Sequence, residues 1–210
     1  MDTKKIAAAL TTCLEGKGKR KFTQSVELIM NFRGIDFNKP ENRLNLDIVL
    51  PKGRGKVPKV VVFAETQLAL DARNAGADLV LGAADIPKLA TDPNFKKTLK
   101  TSEFISEPKL MTIVGKSLGQ VLGSRGKLPK PIVSMSVAEA IKQAKSRVKM
   151  VTKGKYLPVA QCLVGSENMS VDDLAENIDA VYEKVKAKVT EPSIKSIYLK
   201  LSMGKAVKAM

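Results

Sequence analysis

The chain has 210 residues, of which 44% are hydrophobic, and its 36 Lys and Arg residues against 21 Asp and Glu residues give a formal net charge of +15. This length and composition predict a folded protein with one large or two small domains, and so basic a surface favours an anionic partner, most often a nucleic acid. The absence of His excludes Ser-His-Asp and Cys-His catalysis and His-based metal sites, and the two Cys residues are too few to hold a metal alone.

The first fifty residues predict a helix followed by two strands. Apolar residues recur at helical spacing through Ile6, Leu10 and Leu14, and glycines then end the helix. Apolar and polar residues alternate over residues 25–33, SVELIMNFR, and again over residues 44–50. Two alternating strands in succession predict an antiparallel sheet with one face on a core.

The middle of the chain begins at residues 51–59, PKGRGKVPK, which are rich in Gly, Pro and charge and predict a hinge. The continuous apolar run VVVF that follows is typical of a strand buried on both faces, and ADLVLG predicts a second short buried strand. Ser136 is the predicted N-cap of a later helix, with Glu139 in the capping-box position. This alternation predicts a compact Rossmann-like α/β domain over residues 60–152.

The end of the chain predicts a strand, a helix and a last strand. Gly154 indicates a second hinge. Ser170 is the predicted N-cap of a helix from Val171 to about Val189, which carries acidic residues in its first turn and lysines near its end. The final alternating run, SIKSIYLKLSMG, predicts a strand.

The predicted architecture has two domains. Neither outer segment closes a core alone, so residues 1–57 and 155–210 are predicted to form one discontinuous α+β domain. Residues 60–152 form the inserted α/β domain, and the hinges lie near 51–59 and 153–155. Both domains are basic, so charge alone does not assign a binding role to either.

Residues 117–131, SLGQVLGSRGKLPKP, combine glycines, prolines and basic residues in a pattern that suggests a phosphate cradle. A P-loop is excluded because six residues separate Gly119 from Gly126 and because Leu128 stands where the hydroxyl residue is needed. The dinucleotide motif G-x-G-x-x-G is also absent. The sequence GSRG matches the GXXG motif of KH domains, although downstream prolines oppose the helix that should follow. We therefore expect residues 117–131 to form a basic, proline-stiffened loop of the inserted domain and not a nucleotide-binding loop.

The same stretch, with its surroundings, carries a family resemblance. GKSLGQVLGSRGKLPKP resembles the signature segment of the universal large-subunit ribosomal protein family numbered one, which builds the mobile stalk on the tRNA exit side of the ribosome. Three flanking segments agree in order: KFTQSVELIMNFRGIDFNKPENRLNLDIVLPKGRGK, NAGADLVLG and SIYLKLSMGKAVK. The short N-terminus and MGKAVK resemble the archaeal branch. The resemblance implies a discontinuous first domain and an inserted second domain, in agreement with the predicted hinges.

The resemblance also implies an RNA-binding site in the first domain. The residues that match its motif are Phe22, Ser25, Glu27, Ser196, Ser202, Met203 and Gly204. Serine replaces a common threonine at two of these positions, which keeps the hydroxyl and removes a methyl group. Supporting phosphate contacts are expected from Arg20, Lys21 and Lys205, and at most a secondary RNA contact from Arg125 and Lys127.

The function implied by the resemblance is that of a structural RNA-binding protein of the large ribosomal subunit, not an enzyme. It would bind the stalk region of large-subunit ribosomal RNA, assist release of deacylated tRNA from the exit site, and repress translation of its own mRNA by binding a leader structure. We expect no cofactor and no metal, and a monomer when free. Two alternatives from other classes stay open: a nucleotide-dependent enzyme using the middle domain, and a non-specific nucleic-acid-binding protein.

The expected location is the cytoplasm, on the large ribosomal subunit. No stretch approaches the ~18 consecutive apolar residues that a membrane span needs. Cys13 and Cys162 lie in separate segments without CxxC spacing, so we expect both to be small buried hydrophobes in a reducing compartment.

Overall fold

The chain divides into two compact units. Unit 1 combines Met1–Lys56 with Ser146–Met210, and unit 2 is Val57–Lys145. The computed structural model describes residues 3–89, 92, 95, 98–99, 101–133, 135–152 and 157–210. The predicted second hinge, at 153–155, lies outside the described residues.

The secondary structure of the described residues alternates between strands and helices. The strands are β1 (Ser25–Phe32), β2 (Asn45–Val49), β3 (Lys59–Phe63), β4 (Leu79–Leu81), β5 (Ser102–Ser106), β6 (Lys130–Pro131), β7 (Arg147–Thr152), β8 (Val159–Ser166), β9 (Ile194–Leu201) and β10 (Val207–Lys208). The α-helices are α1 (Thr3–Leu14), α2 (Thr66–Asn74), α3 (Ile86–Leu89), α4 (Pro108–Gly123), α5 (Val137–Ser146) and α6 (Val171–Lys186). Short 3-10 helices span Pro40–Asn42 and Glu191–Ser193.

Unit 1 is built on a six-stranded antiparallel sheet with the order β10-β9-β1-β8-β7-β2. Helices α1 and α6 pack on one face, where Ile6 and Leu10 of α1 and Leu174 and Ile178 of α6 share a core with Leu28 of β1. Each fully buried aliphatic side chain of this kind contributes about 1.5–3 kcal/mol. No helix of the described residues shares a core with the opposite face of β1 and β9.

The N-cap of α6 is the predicted one, since the Ser170 hydroxyl accepts a hydrogen bond from the backbone N–H of Asp173 at 3.1 Å. The predicted capping box also forms in unit 2. There the Ser136 hydroxyl accepts from the N–H of Glu139 at 3.2 Å, and the Glu139 carboxylate accepts in return from the N–H of Ser136 at 3.3 Å.

Strand β7 belongs to unit 1, which corrects the predicted end of the inserted domain at residue 152. Asn45 of β2 pairs with Val151, and Ile48 pairs with Val148. β7 also pairs with β8. Its buried and exposed residues alternate, as expected for a strand with one covered face, and α5 passes into it without an intervening loop.

The predicted first hinge is held to unit 1 over much of its length. The buried amide of Asn177 accepts from the N–H of Lys52 at 3.0 Å and donates to the carbonyl of Gly53 at 2.9 Å. Gly55 has a φ of +71°, and a Cβ there would lie 2.6 Å from the Cβ of Ser166. Only glycine therefore fits at this position, and the change of unit falls after residue 56.

Unit 2 is a parallel sheet with the order β4-β3-β5-β6 and helices on both faces. One core layer joins β3 and β5 to α4 and includes the stacked pair Phe63 and Phe104. The other layer joins them to α2 and α5 through Val62 and Ile141. The predicted two-part fold class, α+β with a Rossmann-like α/β part, is confirmed. The predicted buried strand ADLVLG instead forms the edge strand β4, where Leu79 is exposed.

The prediction of a loop over residues 117–131 is wrong for the first half of this stretch, because α4 continues to Gly123. Leu118 and Leu122 extend the buried stripe that begins at Leu110 and Val114, and this packing outweighs the cost of helical glycines. Only the segment after α4 is a loop before β6 begins.

Both cysteines are buried in unit 1, as predicted, and both are free thiols. Burial raises the pKa of the Cys162 thiol to about 12. Within the described ranges, no helix is long and apolar enough to cross a membrane, and no cluster of acidic, His or Cys side chains is arranged to hold a metal ion.

Candidate RNA-binding surface

Strand pairing brings most of the predicted site residues to one face of unit 1. β1 and β9 are neighbours, and Glu27 lies opposite Lys200 while Asn31 lies opposite Ser196. Because side chains alternate along a strand, these residues point away from the core that α1 and α6 cover. This surface, called the open face, consists of the outward residues Ser25, Glu27, Ile29, Asn31, Ser196, Tyr198 and Lys200.

The turn Ser202–Gly204 follows β9 and is fixed to the start of β1. The N–H of Ser202 donates to the carbonyl of Ser25 at 3.0 Å, and the N–H of Ser25 donates to the Ser202 hydroxyl at 3.2 Å. The N–H of Gly204 closes the turn on the carbonyl of Leu201 at 2.9 Å. Met203 projects from it with 61% of its surface exposed. The turn is therefore rigid while its methionine is free for contact.

The loop between α1 and β1 carries the predicted phosphate contacts. Arg20 and Lys21 are exposed there, and Phe22 is 52% exposed, which makes it a surface side chain and not part of the core edge. Arg20 lines a pocket of about 850 Å³ together with Met203 and Lys205. The loop and the turn thus form two walls of one concave, cation-rich surface.

The two remaining predicted residues differ in their freedom to bind. The carboxylate of Glu27 is half-buried and makes no hydrogen bond or ion pair within the part of the chain that the structure describes. Ser196 is buried, and its hydroxyl accepts a hydrogen bond from the side-chain amide of Asn31 at 3.0 Å. Asn31 is not among the residues predicted from the sequence, although its position in the outward register of β1 pointed to this face.

The secondary contact predicted in unit 2 is weakened by an ion pair. The ammonium of Lys127 lies 2.7 Å from the carboxylate of Glu103, and both side chains are mostly buried. Arg125 is exposed in the loop after α4. Of the two residues, Arg125 alone carries a charge that is not already paired to a carboxylate in the described structure.

An open sheet face with hydroxyls, exposed apolar side chains and a basic rim is typical of RNA-binding proteins. Comparison with known sequences identifies the family. The sequence model of the Ribosomal protein L1p/L10e family matches residues 11–205. The chain is 39% identical to the large ribosomal subunit protein uL1 of Methanocella arvoryzae, with 100% of each chain covered.

Two further relatives support the same assignment. The chain is 38% identical to the uL1 protein of Archaeoglobus fulgidus, with 100% of this chain and 99% of the relative covered. It is 40% identical to that of Thermoplasma acidophilum, with 99% and 96% covered. The chain belongs to the ribosomal protein L1 family, with archaeal relatives as predicted. This membership also confirms that it is a ribosomal protein and not an enzyme.

Proposed function

We propose that this protein is a component of the large ribosomal subunit and binds the stalk region of large-subunit ribosomal RNA through unit 1. The observation that carries the proposal is the convergence of three features at one corner of the sheet. These are the rigid Ser202–Gly204 turn, Glu27 on the open face beside it, and the cations of the α1–β1 loop. The names of the relatives, which place them in the large ribosomal subunit, support the same location for this chain.

Each group in this corner supplies a different part of RNA recognition. Arg20, Lys21 and Lys205 neutralise phosphates and provide the salt-dependent share of the affinity. Serine hydroxyls bond ribose 2′-OH groups, which DNA lacks. Met203 offers a polarizable apolar surface to a sugar or base. The carboxylate of Glu27 accepts from a 2′-OH or a guanine amino group and repels misplaced phosphate, so it adds specificity at some cost in affinity.

The proposed role extends to two further RNAs. A leader structure in the protein's own mRNA that mimics the ribosomal site would occupy the same surface, so translation would be repressed when the protein exceeds its ribosomal RNA. Anchored to the stalk, the protein would also lie beside tRNA in the exit site and assist release of the deacylated form. We place the protein in the cytoplasm, as a monomer when it is off the ribosome.

The exchange Met203→Glu tests the proposed site, with Leu70→Glu as the matched control. Leu70 lies on α2 of unit 2 and is 53% exposed, so both exchanges add one negative charge at an exposed apolar position. We expect Met203→Glu to weaken binding of a stalk ribosomal RNA fragment by about 1–3 kcal/mol, and Leu70→Glu to have a much smaller effect. Filter binding at fixed salt concentration measures both.

A non-specific nucleic-acid-binding protein is the alternative function, and competition with duplex DNA separates the two. A non-specific protein depends on phosphate contacts alone, so duplex DNA would displace the RNA fragment as well as unlabelled fragment does. Under the proposal, DNA competes poorly. Equal displacement by DNA, or equal losses in the two Glu variants, would contradict the proposed function.

A further inference from the structure

A buried polar pair lies at the floor of the proposed binding surface, where Gln24 lines the pocket together with Arg20 and Met203. Gln24 is 2% exposed and Glu167, which follows β8, is 4% exposed. The carboxylate of Glu167 accepts from the backbone N–H of Gln24 at 2.9 Å and from its side-chain Nε2 at 3.3 Å. The N–H of Glu167 donates in return to the carbonyl of Gln24 at 3.0 Å. The carboxylate therefore holds Gln24 by both its backbone and its side chain.

The same amide reaches both walls of the surface. Nε2 of Gln24 donates to the carbonyl of Gly16, in the α1–β1 loop, at 3.3 Å. Oε1 of Gln24 accepts from the N–H of Met203, in the Ser202–Gly204 turn, at 3.2 Å. One side chain thus links the basic loop to the turn that carries the exposed methionine.

The hydrogen-bonding groups around Gln24 permit only one orientation of its amide. Two acceptors, the Glu167 carboxylate and the Gly16 carbonyl, face Nε2, and one donor, the Met203 N–H, faces Oε1. A rotated amide would place donor against donor and acceptor against acceptor, and each such mismatch in a buried site costs about 1–3 kcal/mol. Removing the carboxylate oxygen that faces Nε2 would therefore disturb the hydrogen bond between Gln24 and Met203, which does not itself involve Glu167.

We propose that Gln24 and Glu167 are positioning residues, which hold the α1–β1 loop and the Ser202–Gly204 turn at the spacing that specific RNA requires. The inference rests on the proposed function, since it concerns the same surface. Neither side chain needs to touch RNA, because both are buried. Their contribution is to keep the two walls in place before RNA arrives, so that the cost of ordering them on binding is avoided.

Two nearly isosteric exchanges test the inference. Gln24→Met removes all the side-chain hydrogen bonds of Gln24 at constant net charge. Glu167→Gln presents an NH₂ group to Nε2 of Gln24, so either orientation of the Gln24 amide leaves a mismatch. We expect both variants to bind the stalk RNA fragment about ten- to a hundredfold more weakly, without a loss of affinity for an unrelated RNA duplex. Glu167→Gln also removes a negative charge, which by itself would strengthen RNA binding, so a loss cannot come from charge.

The double variant Gln24→Glu with Glu167→Gln restores only one of the two links. The amide introduced at position 167 can donate to the carboxylate introduced at position 24, whose other oxygen again accepts from the N–H of Met203. The carbonyl of Gly16 then faces a carboxylate oxygen where Nε2 of Gln24 had donated to it, so the link to the α1–β1 loop stays broken. Net charge equals that of the original chain, and we expect weaker binding of the fragment than by the original chain. Full recovery of the affinity would show that the link to the loop is not needed and would contradict the inference.

Asn177→Ala is the matched control. Asn177 is an equally buried amide of unit 1 with three hydrogen bonds, to Lys52, Gly53 and Val164, none of which belongs to the binding surface. We expect it to lower the thermal midpoint without changing the ratio of specific to unrelated RNA affinity.

The outcomes separate the inference from the proposed function. If Gln24→Met and Glu167→Gln bind like the original chain while Met203→Glu loses affinity, the positioning inference is wrong and the site stands. If Asn177→Ala lowers the ratio equally, the effect is one of stability, and the inference is again wrong. If Met203→Glu also binds normally, the site itself lies elsewhere and both fail.

Discussion

Gly204→Ala is a small change at the proposed RNA-binding turn whose consequences can be worked out in advance. The φ angle of Gly204 lies outside the left-handed region, so alanine meets no backbone strain there. Its Cβ would lie 3.1 Å from the Cβ of Leu201 and 3.4 Å from the Leu201 nitrogen. Leu201 is completely buried in β9, so it cannot give way. The turn must instead move outward by a few tenths of an ångström.

The free energies follow from this geometry. Overpacking of this kind costs about 1–3 kcal/mol, while replacing glycine by alanine recovers ~0.4–1 kcal/mol through the unfolded state. We expect a net loss of about 1 kcal/mol in the free energy of unfolding. Since Ser202 and Met203 move with the turn, we expect an additional loss of about 1–3 kcal/mol in affinity for the stalk RNA fragment.

Urea unfolding and filter binding measure the two losses, and Gly119→Ala is the control. Gly119 lies within α4 and has no atom within 4 Å of the position of a Cβ, so alanine should stabilise unit 2 by up to about 1 kcal/mol without changing RNA affinity. If Gly204→Ala leaves both the stability and the RNA affinity unchanged, Gly204 does not pack against Leu201 as closely as described. If only the stability falls, the turn is not part of the RNA site.

Two further predictions concern ionisable groups. Hydrogen bonds from Lys186 and then Tyr182 hold the pKa of Glu191 below its ordinary value of 4.5. A carboxyl group whose pKa is lowered in the folded state stabilises the fold at pH values above its ordinary pKa, and this stabilisation is lost as the pH falls through the lowered pKa. The difference in free energy of unfolding between the original chain and Glu191→Gln, measured by urea unfolding at a series of acid pH values, should therefore shrink below about pH 4.5. A constant difference would contradict the pairing of Glu191 with Lys186 and Tyr182. Burial raises the pKa of the Cys162 thiol to about 12, so the reactive thiolate is scarce at neutral pH. A thiol reagent at neutral pH should therefore label Cys162 only when the chain unfolds. Rapid labelling of the folded chain would contradict the burial of Cys162.

Helices and strands with one buried face could be predicted from the sequence, because their apolar residues recur at the spacing of the helix or the strand. The alternation of β1 and the stripe of α6 are of this kind, and the Ser170 cap is a local signal. The placement of β7 could not be predicted in this way. Its alternation shows that it is a strand, whereas its pairing with β2, such as Asn45 with Val151, joins residues about a hundred positions apart.

The proposed RNA-binding site could be inferred from the sequence only through the resemblance. A serine on β9, a glutamate on β1 and a methionine in a turn look ordinary one by one, and only the joint match to a family indicates RNA binding. Gln24 and Glu167 had no such signal, because a polar residue next to a strand is usually exposed. Their burial depends on where β1, β8 and the Ser202–Gly204 turn meet, which is a property of the tertiary structure.

The residues of the stretch at 117–131 have structural roles that do not involve RNA. Leu118 and Leu122 are held in α4 by packing against the sheet of unit 2, and Lys127 neutralises the partly buried Glu103. An ion pair already formed within the fold has little charge left to attract phosphate, and breaking it would leave a carboxylate without its partner. The packing accounts for the presence of Leu118 and Leu122 in this stretch, and the ion pair accounts for Lys127. An RNA contact by this segment would therefore depend on Arg125, and Arg125→Ala would reduce the salt dependence of binding by no more than one phosphate contact.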